Sequence, residues 1–250
     1  MCERWLWRRI RVAESDGYPS RMVRKVLKRV RQKQIPWSRC LLDVPPGGVV
    51  VDVGCANGSP QRFSRVRSDI RYLGTDLEGN SAAINLPAGF HVSLFPPESY
   101  LGDLATAVGS ERADLIVVKH VLEHLADPNA MVRVCASLLS PGGVLYLSFP
   151  STRSLTLPSA VGTLNFHDDP THVAVPSVEA IRGTLVAEGL QITLCRDPYR
   201  PVVFRPIGFL LLHAQRMRRI LTGSPLRASA LLWAGVGFES MLVAKRPLQS

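Results

Sequence analysis

Two groups of histidines and carboxylic acids carry the side chains best suited to proton transfer or metal binding. The first has the pattern H-x-x-E-H, with His120, Glu123 and His124, and the second spans residues 165–172 and ends in His172. Imidazole exchanges its proton near neutral pH and also binds divalent metals, and a neighbouring carboxylate can orient its ring. Both groups follow apolar runs, so we expect them in connections at the ends of strands.

A glycine-rich turn follows the first apolar run of the chain. The run at 49–53 leads into Gly-Cys-Ala-Asn-Gly at 54–58, and Ser59 and Pro60 then predict the start of a helix with Ser59 as its N-cap. Such a turn lets a ligand approach the backbone, and free amides at a helix start favour a carboxylate or hydroxyl. A dinucleotide loop of the form G-x-G-x-x-G would need glycine at Ala56 and Ser59, so pyrophosphate binding is disfavoured.

Alternating apolar and amphipathic segments from Pro45 onward indicate the elements that must position these side chains. This alternation builds a parallel sheet with helices on both faces, a doubly wound α/β fold. Ligands of such folds bind at the carboxyl ends of the strands, so the long connections at 150–175 and 196–237 are predicted to shape a substrate pocket. The predicted strands are 49–53, 72–76, 90–95, 113–118, 143–149, 190–195 and 238–244.

The second predicted strand ends in a carboxylate. Asp76 lies 22 positions after Gly54, about the separation at which an acid can accept hydrogen bonds from both hydroxyls of a ribose. Lys119 and His120 directly follow the fourth predicted strand, and the parallel arrangement brings them to the same edge of the sheet. The sequence therefore predicts a ribose-containing ligand at this edge.

The order and spacing of these motifs resemble the class I S-adenosylmethionine-dependent methyltransferases, in particular the small-molecule subgroup that includes the quinone-biosynthesis O-methyltransferases. The resemblance extends more weakly to 237–247, which looks like the antiparallel last strand of that fold. It implies a Rossmann-like seven-stranded sheet in a single domain at 41–250, preceded by a basic extension at 1–40. The motifs that carry it are VVVDVGCANGSP at 49–60, YLGTDL at 72–77, ADLIVVKHVLEHLADP at 113–128 and LLSPGGVLYL at 138–147.

Carried over position by position, the resemblance implies which residues bind S-adenosyl-L-methionine. It places the methionine end at Asp52 and the glycine-rich turn, the ribose at Asp76, and the sulfonium and the acceptor beside the tip of the fourth strand. Ala56 departs from the glycine that is usual there, and no clear carboxylate ends the third strand, which leaves the adenine contacts open. The predicted cofactor-binding residues are Asp52, Gly54, Cys55, Ala56, Gly58, Asp76, Leu77 and Lys119.

His120 and His172 are the predicted catalytic residues. An alcohol or phenol must lose its proton when its oxygen attacks a methyl group, and an imidazole can accept that proton. His120 lies at the predicted strand tip, and His172 lies in a loop where Asp168 or Asp169 could orient its ring. An ordinary polar loop is the alternative interpretation of residues 165–172.

The H-x-x-E-H pattern also occurs in inverted zinc peptidases, and some related methyltransferases carry E-x-x-E-H at this corner and bind a divalent cation. Here the first position is His120 rather than a carboxylate. A peptidase site would also have no cofactor loop upstream. We therefore predict no metal, and expect Glu123 and His124 to bond to neighbouring backbone.

Composition limits the remaining classes of protein. A chain of 250 residues and 27.5 kDa can bury one sizeable core. Its five cysteines are scattered and odd in number, which predicts no disulfide framework and fits the reducing cytoplasm. Arginines interrupt the first dozen residues, and no run approaches the ~20 apolar residues of a membrane span, so we expect a cytoplasmic protein.

The positive charge is concentrated at the start of the chain. Residues 1–40 hold twelve Lys or Arg and three acids, so they contribute 12 − 3 = +9 of the net charge of +10. Apolar residues recur at helical spacing within 21–33, which predicts a basic amphipathic helix suited to an anionic membrane or RNA, or an arm packed on its own domain. A second hydrophobic basic helix is predicted at 207–221 and could add a membrane contact.

The predicted function is methyl transfer from S-adenosyl-L-methionine to a small-molecule or lipid-linked acceptor, at oxygen. RNA methylation with the basic arm, a non-catalytic cofactor-binding module and a dinucleotide oxidoreductase are the alternatives. DNA amino-methyltransferases place Asp or Asn before Pro-Pro and an aromatic residue at the fourth strand tip. Lys119, His120 and the two residues after them lack this pattern, so DNA is not an expected substrate.

Overall fold

The computed structural model describes residues 36–56, 58–79, 86–201 and 204–248. Three short 3₁₀ turns lie at Leu122–His124, Thr152–Thr156 and Phe166–Asp168. The helices and strands, in chain order, are α1 (Pro36–Leu42), β1 (Val49–Val53), α2 (Ser59–Val66), β2 (Arg71–Leu77), β3 (Phe90–Phe95), α3 (Tyr100–Val108), β4 (Ala113–Lys119), α4 (Pro128–Leu138), β5 (Leu139–Pro150), α5 (Val178–Ala187), β6 (Gln191–Arg196), α6 (Phe204–Thr222), α7 (Ala230–Val236) and β7 (Glu239–Lys245).

The strands form one seven-stranded sheet in the order β3-β2-β1-β4-β5-β7-β6. Strands β1 to β5 are parallel, and β7 runs antiparallel between β5 and β6. The predicted doubly wound fold with an antiparallel last strand is therefore confirmed. The strand order reverses between β1 and β4, so the carboxyl ends of these two strands open at the position where such folds bind ligands.

The sheet separates two apolar cores. Strand β1 has the sequence VVVDV and is buried on both faces, as expected for a central parallel strand. Its Val51 and Val53 pack in the core on the side of α3, α4 and α5, while Val50 packs with α1 and α2 on the other side. This double burial fixes the end of β1, and with it the start of the glycine-rich turn.

The connection between β6 and β7 contains α6 and α7, which pack on each other. The predicted helix at 207–221 is confirmed and extends from Phe204 to Thr222. A third apolar cluster joins this pair to the loop after β5, through Leu164, Leu232 and Phe238. The two long connections therefore form one structure above the sheet.

The predicted amphipathic helix at 21–33 lies outside the described residues. The predicted boundary between residues 40 and 41 falls inside α1, where the ring of Trp37 packs 4.8 Å from that of Phe63. Within the described ranges, no helix combines the length and the apolar character needed to cross a bilayer.

Candidate functional site

The turn at 54–58, called the glycine loop below, is held by hydrogen bonds to the neighbouring strand. The amides of Gly54 and Cys55 both donate to the carbonyl of Thr75, at 2.8 and 3.0 Å. Gly54 has a φ of 70°, and a Cβ there would lie 2.3 Å from Cγ2 of Val121. Glycine is therefore required at this position both for its conformation and for the close approach of the segment after β4.

Asp52 lies buried beneath the glycine loop. Its carboxylate accepts hydrogen bonds from the hydroxyl of Ser59 and from that of Tyr72, the latter at 2.8 Å. Burial raises the pKa of Asp52, although both hydrogen bonds act in the opposite direction. The carboxylate thus ties the start of α2 to β2 and fixes the loop between them.

The predicted N-cap role of Ser59 is wrong. Helix α2 begins at Ser59 itself, and the residue before it, Gly58, is the cap, with a φ of 89° and no side-chain hydrogen bond. The hydroxyl of Ser59 is engaged by Asp52 instead. A buried carboxylate competes well for a hydroxyl because an unpaired charge in the interior is costly.

Asp76 joins the end of β2 to the glycine loop. Its Oδ2 accepts from the amide of Ala56 at 2.9 Å, and its Oδ1 accepts from the amide of Leu77 at 2.8 Å. Ala56 takes a positive φ of 42° to present that amide. Asp76 therefore fixes the glycine loop relative to the end of β2.

Lys119 ends β4 on the other side of the loop. Its Nζ lies 5.9 Å from the centre of the Trp37 ring, and its charge acts on buried Asp52. The structure therefore brings all eight predicted cofactor-binding residues to the carboxyl ends of β1, β2 and β4.

His120 is clamped between two carboxylates. Its Nδ1 lies 3.0 Å from Oε1 of Glu123, and its Nε2 lies 2.9 Å from Oε1 of Glu239 at the start of β7. The rings of Trp233 and Phe238 lie 5.3 and 6.0 Å from the imidazole, and the backbone of His120 has a φ of 52°. We call His120, Glu123, His124, His172 and Glu239 the histidine corner.

The clamp determines the charge of this ring. Burial alone would lower the pKa of His120, but the hydrogen bonds with Glu123 and Glu239 outweigh it and raise the pKa to about 9. The same pairing lowers the pKa of Glu239 against the effect of its burial. At neutral pH the imidazole is therefore protonated and donates from both nitrogens, whereas a proton acceptor needs a free lone pair.

His172 has a different environment. Its Nδ1 lies 2.6 Å from the carbonyl of Phe166, which can only accept, so Nδ1 carries the proton and the lone pair of a neutral ring is on Nε2. The side chain is 5% exposed and packs against the rings of Phe166 and His124 in tilted arrangements, with centres 4.6 and 4.9 Å away. Nε2 lies 4.0 Å from Oδ2 of Asp169.

Of the two aspartates expected to orient His172, only Asp169 approaches it. The carboxylate of Asp168 instead accepts from the hydroxyl of Ser159 and from the backbone amides of Ala160, Leu164 and Asn165. These bonds lower the pKa of Asp168, although its partial burial acts in the opposite direction. Asp168 therefore holds the loop that carries His172.

Glu123, His124 and His172 form a group that could hold a metal ion, since one ligand atom from each lies within 4.8 Å of the others. His124 uses Nδ1 on the carbonyl and hydroxyl of Thr171, at 3.2 and 2.9 Å. The expectation that the side chain of His124 bonds to neighbouring backbone is wrong, because its partner Thr171 lies 47 residues away along the chain. The carboxylate of Glu123 bonds to His120 rather than to backbone, and its buried Oε2 has no partner among the described residues.

Sequence reasoning missed Glu239 and Trp233. Glu239 lies within the predicted last strand, and a single acid before an apolar run is a usable signal. Trp233 lies in a connection whose helix α7 was not predicted, and nothing in its local sequence indicates that its ring meets His120. Tyr72, which binds Asp52, looked like an ordinary strand residue.

A family model described as a methyltransferase domain matches residues 23–194. The chain belongs to this family. Its described residues therefore include most of a methyltransferase domain.

Among its relatives is a ubiquinone biosynthesis O-methyltransferase of Xanthomonas axonopodis pv. citri (strain 306), 35% identical over 107 residues, which are 42% of this chain and 44% of that protein. Another, of the same description, is from Bordetella avium (strain 197N), 31% identical over 131 residues, 50% of this chain and 52% of that protein. The chain spans about half the length of the curated relatives it matches.

Solved structures show the same fold. A SAM-dependent methyltransferase from Archaeoglobus fulgidus matches with a TM-score of 0.51 and 15% identity, covering 89% of this chain and 94% of that chain. A putative sarcosine dimethylglycine methyltransferase from Galdieria sulphuraria matches with a TM-score of 0.55 and 14% identity, covering 92% of each. At such identities the likeness is one of fold alone.

Proposed function

We propose that this chain is an S-adenosylmethionine-dependent methyltransferase that methylates a hydroxyl oxygen of a small-molecule or lipid-linked acceptor. The observation that carries the proposal is His172, whose Nδ1 is committed to the carbonyl of Phe166, so that a neutral ring has its lone pair on Nε2. Oxygen is the acceptor atom for which such a base is useful, because a hydroxyl must lose its proton. The O-methyltransferase names of the relatives agree with this choice.

The residues around the glycine loop fit the cofactor. Asp76 is a carboxylate held at the end of β2, a group that accepts hydrogen bonds from hydroxyls, and among the described residues other than its chain neighbours none has a heavy atom within 4 Å of the place of a Cβ at Gly58. When bound, S-adenosyl-L-methionine supplies an electrophilic methyl group on its sulfonium. In the proposal Asp76 and Leu77 hold the ribose. The loop from Gly54 to Gly58 shapes the pocket for the methionine end, with Asp52 beneath the loop and Lys119 beside it.

On the acceptor side the two predicted catalytic histidines have separate roles. His172 accepts the hydroxyl proton on Nε2, while its buried ring and its bond to Phe166 keep the lone pair in one direction. His120, charged and clamped by two glutamates, acts as a positioning residue that fixes Glu123 and Glu239 at the strand tip. Positioning of the reacting groups is the main contribution a protein makes to such a displacement.

A divalent cation is a second candidate means of activating the same hydroxyl. Oε2 of Glu123 is buried without a partner among the described residues, and Nδ1 of both His124 and His172 bonds to a backbone carbonyl, the support that metal-binding histidines commonly have. A cation held by Glu123, His124 and His172 would lower the pKa of a bound hydroxyl.

The test uses the full chain, radiolabelled S-adenosyl-L-methionine and fractionated cell extract as the source of acceptor. His172→Ala should lower turnover by at least about tenfold, while the exposed loop histidine variant His167→Ala should retain it. Both variants should bind S-adenosylhomocysteine like the wild type. Normal turnover of His172→Ala would show that His172 is not the general base. Turnover that is lost on dialysis against a chelator and restored by Mn²⁺ would favour the cation.

The contact of residues 1–40 with an anionic membrane stays a proposal, supported by their twelve basic residues. RNA is the alternative partner of the same charge. Deleting residues 1–35 should weaken salt-sensitive sedimentation with acidic vesicles if the arm contributes to this contact.

A further inference from the structure

Helix α6 carries an unusual concentration of exposed apolar side chains. Of the thirteen large apolar side chains that are exposed in the described parts of the chain, six lie on this helix. Single exposed apolar residues are ordinary, but a contiguous group marks an interaction surface. The six are Ile207, Phe209, Leu210, Met217, Ile220 and Leu221.

The inner side of α6 is fixed against the protein. Gly208 is buried and lies so close to Gly235 of α7 that a Cβ on it would meet the Cα of Gly235 at 2.4 Å. Leu211 and Leu212 pack against the apolar cluster that contains Leu232. This close packing of glycines leaves the helix little freedom to rotate.

The outer side of α6 is therefore defined by helical spacing. With 3.6 residues per turn, Leu210, Met217 and Leu221 lie roughly opposite Gly208. They are 65%, 54% and 76% exposed. Helix α6 thus has apolar side chains on two sides: those that pack against the protein and those that are exposed on the outer face.

Positive charge borders this outer face. The 19 residues of α6 include four arginines and no acid. By the same spacing, Arg216 and Arg218 flank the apolar face on its two sides. No described acidic residue forms an ion pair with any of the four.

Further arginines lie near the first turn of α6. Burial and then repulsion from Arg153 and Arg205 lower the pKa of Arg200, so these three charges are close together. Cations of one sign near an exposed apolar face are typical of helices that lie in the interface of an anionic membrane.

We propose that the outer face of α6 docks on an anionic lipid surface, with its apolar side chains in the acyl boundary and its arginines among the headgroups. A second copy of this chain would bring the same arginines against themselves. The arm at 1–35 holds eleven basic residues and three acids, so it too would be repelled. The proposal concerns a surface and does not depend on the proposed chemistry.

The position of this surface relates it to the histidine corner. Helix α7, on which α6 packs, supplies Trp233, whose ring lies 5.3 Å from that of His120. Docking through α6 therefore sets the acceptor side of the site close to the membrane. A lipid-linked acceptor would have a short path from the bilayer to the corner.

The experiment is sedimentation of the full chain with phosphatidylglycerol–phosphatidylcholine vesicles and with pure phosphatidylcholine vesicles. The double variant Leu210→Glu/Leu221→Glu places two acids on the outer face. Val186→Glu is the matched control, because Val186 is 63% exposed and lies on α5 rather than on α6. Circular dichroism and S-adenosylhomocysteine binding verify that each variant is folded.

We expect the wild type to sediment with the anionic vesicles only, in a salt-sensitive way. The double variant should partition at least about tenfold more weakly, and the control should match the wild type. Equal partition of the double variant and the wild type would overturn the proposal, as would failure of the wild type to bind. A wild-type dimer that becomes monomeric in the double variant would assign the face to self-association instead.

Discussion

The glycine loop and the histidine corner differ in how far apart along the chain their partners lie. In the loop, Asp52 meets Ser59 seven residues away and Asp76 meets Ala56 20 residues away. In the corner, His120 meets Glu239 across 119 residues, and His124 meets Thr171 across 47. The proposed cofactor side is thus a local unit of two strands and a turn, whereas the proposed acceptor side forms only when the last strand and two long connections are in place.

This difference separates the two functions of the site. A local unit can keep one cofactor while distant connections change around it, and loops at the carboxyl ends of strands are where substrate specificity is set in such folds. We therefore expect damage to the loop to affect cofactor affinity, and damage to the corner to affect turnover.

The largest effect is expected at Asp76. Asp76→Ala removes the acceptor of the Ala56 and Leu77 amides and the proposed partner of the ribose hydroxyls. Loss of charge-assisted hydrogen bonds should weaken binding of S-adenosylhomocysteine by about 2–4 kcal/mol, measured by calorimetry. Glu78→Ala is the control, since Glu78 is an exposed acid two residues on. An unchanged dissociation constant for Asp76→Ala would remove the ribose assignment.

A smaller effect, on turnover rather than on cofactor affinity, is expected at Glu239. Glu239→Gln keeps the shape of the side chain but takes one carboxylate from His120, which loosens the corner. Turnover should fall about tenfold while S-adenosylhomocysteine binds as before, because displacement of reacting groups is costly. The exposed acid variant Glu179→Gln is the control. If Glu239→Gln changed cofactor affinity and turnover together, the two sides would not be separate.

The smallest effect is expected at Asp168, which holds the loop of His172. Asp168→Asn keeps an acceptor but loses the charge that strengthens four hydrogen bonds, and should cost about 1 kcal/mol of stability in urea unfolding at pH 7. The folded-state pKa of Asp168 is lowered, so its contribution is present above the unfolded pKa and is lost as the pH falls through the folded value. The difference between wild type and variant should therefore shrink in acid, and a difference that persists there would contradict this account.

The sequence predicted the local side of this comparison well. All seven strands, Asp76 at the end of β2 and the helix α6 follow from apolar runs, turn residues and spacing, which are properties of neighbouring residues. The mistake about Ser59 arose because the competing partner, Asp52, lies buried on the strand before the turn. The clamp on His120 could not be predicted, because it depends on β7 pairing antiparallel to β5 and placing Glu239 opposite Pro150.

The central claim is that the methyl group goes to oxygen. Reaction with S-adenosyl-L-methionine labelled with ¹³C in its methyl group, followed by carbon NMR of the isolated product, reads the acceptor atom directly. The account predicts a resonance typical of a methyl ether, formed at least about tenfold more slowly by His172→Ala. A labelled methyl on nitrogen or carbon would contradict the account.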